Sequence, residues 1–194
     1  MSFKNDDRDI GLGAPDARIM PSDVRYPQVP FPELSPAPVV LCVDNSAHHL
    51  EWLNQLVRDS MGGTAHTATN GAEALNVLAG HPEIDCVITD ILRQETTDGI
   101  WLLEHIRTNR THDDLPVLMY TETDPSSMMG SAVSRGVDFY IPKRCGRDVL
   151  QHAITYFTAK SRRVRALQQD MRAFEARMVK LQGDMAGLLK KLSG

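Results

Sequence analysis

The pattern of apolar and polar positions divides this 194-residue chain into a proline-punctuated start, an alternating middle and a long helical end. In the middle, Val39 to Val43 is continuously apolar, as a central parallel strand covered on both faces requires, and Asp44-Asn45 ends it. Ser46 can cap a helix whose apolar face is Leu50, Leu53, Leu56 and Val57. Thr64 to Thr69 is a weaker, β-branched strand. Asn70 then caps Gly71 to Leu78, with Glu73 at the third helical position of a capping-box pattern, and Gly80 and Pro82 close that helix. Asp85-Cys86-Val87-Ile88-Thr89-Asp90 reads as a short buried strand that ends on a carboxylate. Asp98-Gly99 opens a third helix with Ile100, Trp101, Leu103 and Ile106 at helical spacing, a periodicity that assigns Trp101 to the core. Leu115 to Tyr120 is a fourth strand ending on Thr121. Pro125 takes the first position of a fourth helix that runs to near Gly136. Val137 to Ile141 is a fifth strand, followed at once by Pro142-Lys143, and a last helix begins near Arg147-Asp148.

Strict alternation of strand and helix predicts an α/β fold: a five-stranded parallel sheet with right-handed crossovers and helices on both faces. Strands of this length fit the doubly wound, flavodoxin-like order 2-1-3-4-5. The start is different. Residues 1–38 hold seven of the eleven prolines, so residues 1–37 are expected as an extended arm without regular structure. Tyr26, Val29, Phe31 and Leu34 give that arm apolar groups a plain spacer would not need, which leaves both a loose tail and a packed arm open.

The end has a third pattern. Val164, Leu167, Met171, Phe174, Met178, Leu181, Met185, Leu188 and Leu192 recur at alternating spacings of three and four, the a/d seam of a coiled coil. Leu150 and Phe157 carry the series back into the last helix, predicting one continuous helix of about 65 Å. A stripe this long cannot be buried on so small a domain, so the expected remedy is a homodimer. Gly183 and Gly187 fall outside the seam. The flanking g positions, Arg163, Asp170, Arg177, Asp184 and Lys191, alternate in sign and favour antiparallel pairing by tenths of a kcal/mol per pair. Orientation stays open.

Composition changes the picture little. Net charge is −4, but residues 160–192 carry nine Lys/Arg against three Asp/Glu. That basic segment has Arg162, Arg163 and Arg165 in favour of nucleic-acid binding, yet no recognition motif and no interleaved aromatics, which argues against it. Three cysteines, Cys42, Cys86 and Cys145, lack metal-like spacing, and with no apolar leader they imply a reducing cytoplasm. No run approaches the roughly 20 apolar residues of a membrane span. Among the seven histidines no two form a convincing metal pair with a third ligand; His48 and His49 lie on the first helix near the strand-end residues and read as surface or partly buried groups.

The candidate chemistry comes from the strand ends. Asp44-Asn45, Asp90, Thr121 and Lys143 all follow strands that would bring them to one edge of the sheet. Each alone is an ordinary polar cap. Together, two carboxylates and an amide oxygen form a hard-oxygen site suited to Mg²⁺. A hydroxyl and an ammonium can bind phosphoryl oxygens, and an aspartate can accept a phosphoryl group covalently.

On these residues the chain resembles the receiver domain of bacterial two-component response regulators. The motifs are Leu41-Cys42-Val43-Asp44-Asn45, Val87-Ile88-Thr89-Asp90, Asp98-Gly99, Leu115 to Thr121, and Tyr140-Ile141-Pro142-Lys143. The match covers residues 38–159, leaving residues 160–194 as a coiled-coil helix continuous with the last receiver helix. The resemblance implies that Asp90 accepts phosphate from a histidine kinase or phosphotransfer protein, and that Asp44, Asn45, Asp90 and the Leu92 carbonyl hold Mg²⁺. It further implies that Thr121 and Lys143 engage the phosphoryl group and that Tyr140 is the switch aromatic. It implies a phosphoacceptor and not an enzyme. Three departures stand out: Asn45 replaces a second acid, which predicts weaker Mg²⁺ binding; the loop Arg93 to Thr97 is longer and lacks Met-Pro; and Arg144 replaces a proline. They motivate an alternative, a phosphorylation-blind pseudo-receiver scaffold. A further alternative is the regulatory part of an effector whose output domain lies elsewhere.

Overall fold

The computed structural model describes residues 36–91, 98–111, 114–122 and 125–192. The chain divides into two units, Met1–Pro30 and Phe31–Gly194, and all described residues belong to the second. The expected arm, residues 1–37, therefore lies outside the described residues except for Pro36 and Ala37.

Among the described residues the order is β1 (Val39–Val43), α1 (Ala47–Gln55), β2 (Thr64–Ala68), α2 (Gly71–Gly80), β3 (Cys86–Thr89), α3 (Asp98–Asn109), β4 (Val117–Thr121), α4 (Pro125–Ser134), β5 (Phe139–Pro142) and α5 (Arg147–Leu192). The sheet order is β2-β1-β3-β4-β5 and every pairing is parallel, as the alternation predicts. The apolar runs of β3 and β4 are buried throughout, and β1 is buried after Val39. Successive side chains point to opposite faces. Leu41, Val43, Val87, Val117 and Met119 enter the core that takes in Ile100, Leu103 and Ile106 of α3. Val40, Cys42, Cys86, Ile88 and Leu118 enter the core that takes in Leu50 and Leu53 of α1 and Leu150 and Ile154 of α5. Burial pushes the Cys42 thiol up to about 12 and Cys86 in the same direction, so both behave as small apolar side chains.

Local chemistry sets the element ends. Ser46 Oγ accepts from the His49 amide at 3.3 Å, and Asn70 Oδ1 from the Glu73 amide at 2.9 Å. Glu73 Oε2 reaches back to the Thr69 amide at 2.7 Å. The end of α1 differs from its periodicity: Leu56–Ser60 forms a π-helical turn, which lets the Gly63 amide bond the Val57 carbonyl at 2.9 Å. Gly62 follows at φ 61°, a conformation that suits glycine. Trp101 is the clear correction. It is 38% exposed, and its ring lies on His105 at 3.9 Å with α2's Gly71 close beneath it. Helical spacing placed it on the border of the apolar face, not inside it.

Two buried arginine–aspartate anchors tie helices to the sheet. Arg107 of α3 donates to Asp138 at 2.5 Å and to the carbonyls of Leu115 and Gly136 at 2.9 and 2.8 Å. Asp85, 3% exposed before β3, accepts from Arg162 Nε at 2.9 Å, Arg165 Nη2 at 2.6 Å and the Val39 amide at 3.0 Å. Arg162 also reaches the carbonyls of Pro36 and Ala37. Helix α5 is thus pinned to the body to Arg165, and every side chain from Gln169 to Leu189 is exposed. Two of the three arginines that suggested nucleic acid are committed to Asp85.

Candidate functional site

The site grows out of the carboxyl ends of β1, β3 and β5. Asp44 follows β1, its amide bonding the Ala68 carbonyl at 3.2 Å, and Asp90 follows β3, its amide bonding the Val43 carbonyl at 3.3 Å. The ladder bonds therefore fix both carboxylates relative to the sheet. Lys143 follows β5 and is fixed by its own amide, which donates to the Thr121 carbonyl at 2.8 Å.

Each carboxylate divides its oxygens. Asp44 Oδ1 accepts from the Ser46 amide at 2.9 Å, and Asp90 Oδ1 from the Ile91 amide at 2.7 Å. The second oxygens converge on Lys143 Nζ, at 2.9 Å for Asp44 and 2.8 Å for Asp90. His49 Nδ1 is the third neighbour of that nitrogen at 3.0 Å. An ammonium has three protons to give and no lone pair. The Asp44 and Asp90 oxygens take two of them, and His49 Nδ1 lies within reach of both the ammonium and, at 3.3 Å, Asp44 Oδ2. Burial by itself would lower the Lys143 pKa; hydrogen bonds to Asp90 and Asp44, and their charge, outweigh it and hold the group above its ordinary value. Asp44 is buried and Asp90 half-buried, so the pocket is an acidic hollow that already requires a cation.

Aromatic packing sets the lysine. The Tyr120 ring lies 5.9 Å from Nζ, its hydroxyl donates a long 3.4 Å bond to the Lys143 carbonyl, and Trp52 stacks on it at 5.8 Å. Thr121, the last residue of β4, is fully buried. Tyr140 is half-buried against the α3-side core. Asn45 is exposed beside Asp44. Leu92 and the loop to Thr97 lie outside the described residues. Gly99 explains the Asp98-Gly99 motif: a Cβ there would stand 1.9 Å from the Asp90 carbonyl oxygen, so only glycine lets α3 approach the Asp90 backbone.

The structure thus brings Asp44, Asp90 and Lys143 into direct contact and places Thr121 beside the lysine backbone. The sequence reading located His49 correctly but missed its role. The available signal was its place in the first turn of a helix leaving β1 beside Asp44. Tyr120 gave no such signal, since it reads as part of the apolar run of the fourth strand, and Trp52 lies outside the apolar face named for the first helix. The seam residues Leu167, Met171, Phe174, Met178, Leu181, Met185, Leu188 and Leu192 are all exposed on α5, while Val164, nearer the body, is half-buried.

The family model for the response regulator receiver domain matches residues 40–155. The response regulator MprA of Mycobacterium sp. (strain KMS) is 33% identical over 104 residues, 54% of this chain and 43% of that protein. A chemotaxis protein CheY homolog of Campylobacter jejuni subsp. jejuni serotype O:23/36 is 24% identical over 119 residues, 59% of this chain and 88% of that protein. Of solved structures, a response regulator receiver domain protein from Clostridium thermocellum superposes with a TM-score of 0.59 at 21% identity, covering 66% of this chain and 98% of the other. A CheX-CheY-BeF3-Mg complex from Borrelia burgdorferi gives 0.53 at 28% identity, covering 62% and 89%. The chain spans 43% of the length of its MprA relative. Sheet order, the paired aspartates with their lysine, and the family match over the same residues agree: this chain belongs to the response regulator receiver family.

Proposed function

We propose that this protein is a cytoplasmic two-component response regulator that accepts a phosphoryl group on Asp90 from a histidine kinase or phosphotransfer protein and transmits its state through a coiled-coil homodimer. The observation that carries the reading is the convergence of Asp44 and Asp90 on one ammonium, at 2.9 and 2.8 Å. An Asp90 carboxylate oxygen attacks phosphorus, a P–O bond forms, and the P–N bond to the donor imidazole breaks, leaving an acyl phosphate. Lys143 then ion-pairs with a phosphoryl oxygen, and the Thr121 hydroxyl bonds another. Withdrawal of the threonine toward the phosphate opens the space into which Tyr140 turns, a two-state element biased by a local charge.

The donor set fits Mg²⁺, since Asp44 and Asp90 are hard oxygen ligands already facing a positive charge. The Asn45 side-chain oxygen and the Leu92 carbonyl would complete the protein ligands. Bound there, the ion would neutralise charge on the phosphoryl oxygens. The chain acts as phosphoacceptor, with no substrate turned over beyond its own phosphoryl group.

Intact-mass measurement after incubation with acetyl phosphate and Mg²⁺ tests this. One phosphoryl group is expected on the native chain and none on Asp90→Asn. An unchanged native mass refutes phosphorylation and favours the scaffold reading, for which exposed Asn45 in place of an acid is the motive.

A further inference from the structure

The fold brings His66 together with His81 and Glu83, which are near neighbours in the chain beyond α2. His66 is the middle residue of β2, the edge strand, paired in register with Leu41. His81 caps the carboxyl end of α2, and Glu83 lies in the turn that leads to β3. The two imidazole rings lie 4.0 Å apart between centroids, tilted by 38°, and His81 Nδ1 is 2.9 Å from Glu83 Oε1. One ligand atom from each residue lies within 4.8 Å of the others. Helix α2 runs antiparallel to the strands, so its carboxyl end is at the sheet edge opposite the Asp90 pocket.

We propose that His66, His81 and Glu83 form a binding site for one divalent transition-metal ion of the zinc class. Two imidazoles and a carboxylate suit zinc, nickel or copper, whereas Mg²⁺ prefers oxygen ligands alone. Metal–ligand bonds of about 2.0–2.2 Å place tetrahedral donors about 3.3–3.6 Å apart. The observed spread needs a contraction of up to about 1.5 Å. The side chains of His81 and Glu83, 42% and 52% exposed, can make it by rotation, while the strand fixes His66. The same exposure gives the ion a path in and leaves its remaining positions to water. Occupancy would join the edge strand to the α2–β3 turn, and an ion bound only by the folded state raises the melting temperature by mass action.

The full chain, titrated with Zn²⁺ in buffer containing excess Mg²⁺, tests the site by calorimetry and by thermal melting. One ion per chain and a raised melting temperature are expected. His66→Gln and His81→Gln should each weaken binding by more than about tenfold. Glu83→Gln, an exposed change that leaves the backbone turn intact, should weaken it by about tenfold. His49→Gln should leave it unchanged, which separates this site from the Asp90 pocket. In the native chain, Cu²⁺ in place of Zn²⁺ should show hyperfine coupling to two imidazole nitrogens. Failure to bind Zn²⁺, binding displaced by Mg²⁺, or binding that His49→Gln removes and Glu83→Gln spares overturns the proposal.

Discussion

Lys143 holds two carboxylates at once, and that makes it a competitor for any cation entering the pocket. Its ammonium satisfies the same Asp44 and Asp90 oxygens that a divalent ion would need. Removing it leaves two carboxylates facing each other without a counter-ion, which strengthens the demand for an external one. Lys143→Ala should therefore bind Mg²⁺ at least about threefold more tightly than the native chain, even though it loses a phosphate ligand. Trp52, stacked on the Tyr120 ring beside the lysine, provides a fluorescence signal for the titration. Unchanged or weaker binding would mean that the lysine does not compete. Asn45→Asp should act in the same direction by adding a negative charge at the exposed neighbour of Asp44; equal affinities would remove Asn45 as a tuning residue. Gly99→Ala acts on the backbone instead. Its Cβ would collide with the Asp90 carbonyl, so overpacking by about 1–3 kcal/mol should show in chemical denaturation, together with loss of phosphoryl uptake.

At the scale of elements, α5 is held to the sheet by a charged cluster as well as by the packing of Leu150 and Ile154. Asp85 lies buried between Arg162 and Arg165 and also receives the Val39 amide. Truncating the shared acid leaves two guanidinium groups and an amide without their acceptor. Because both arginines keep some solvent contact, the cost of Asp85→Ala should fall at about 2–4 kcal/mol, near the lower part of the range for broken buried pairs. Hydrogen exchange should quicken around residues 158–165 before it does in β4; uniform acceleration would show that the cluster stabilises the whole body and does not anchor the helix. This anchor was not legible in the sequence. Asp85 read as the start of a strand and the arginines as a basic patch, because nothing local announces a contact across 77 residues. The elements themselves were legible, since apolar runs and caps at Ser46 and Asn70 act over a few residues. The same division explains the sites. Asp44, Asp90 and Lys143 announce themselves by following strands, whereas His66 and His81 meet only because β2 and the end of α2 are folded together.

On the scale of the whole molecule, the exposed apolar stripe on the distal half of α5 is what the proposed homodimer would cover. Among the described residues every side chain from Gln169 to Leu189 is exposed, the seam included, with Phe174 at 65% and Leu181 at 56%. A helix whose apolar stripe stays exposed lacks the packing that supplies most helical stability in proteins. A second copy would bury the Met171, Phe174, Met178 and Leu181 row, worth about 1.5–3 kcal/mol for each large apolar side chain fully covered. Methionine at several of these positions packs softly, so the pair should be adjustable, as a signal-dependent dimer requires. Placing charges at the centre of the seam should undo it: Met178→Asp with Leu181→Asp costs several kcal/mol, about a thousandfold in dimer affinity. Sedimentation should then find a monomer, and far-UV circular dichroism should lose the helical signal of the distal half while the sheet melts cooperatively as before. A variant that stays dimeric would move the interface from α5 to the receiver surface. One that turns monomeric with its helical signal intact would show that α5 is stable alone and that pairing is not what holds it.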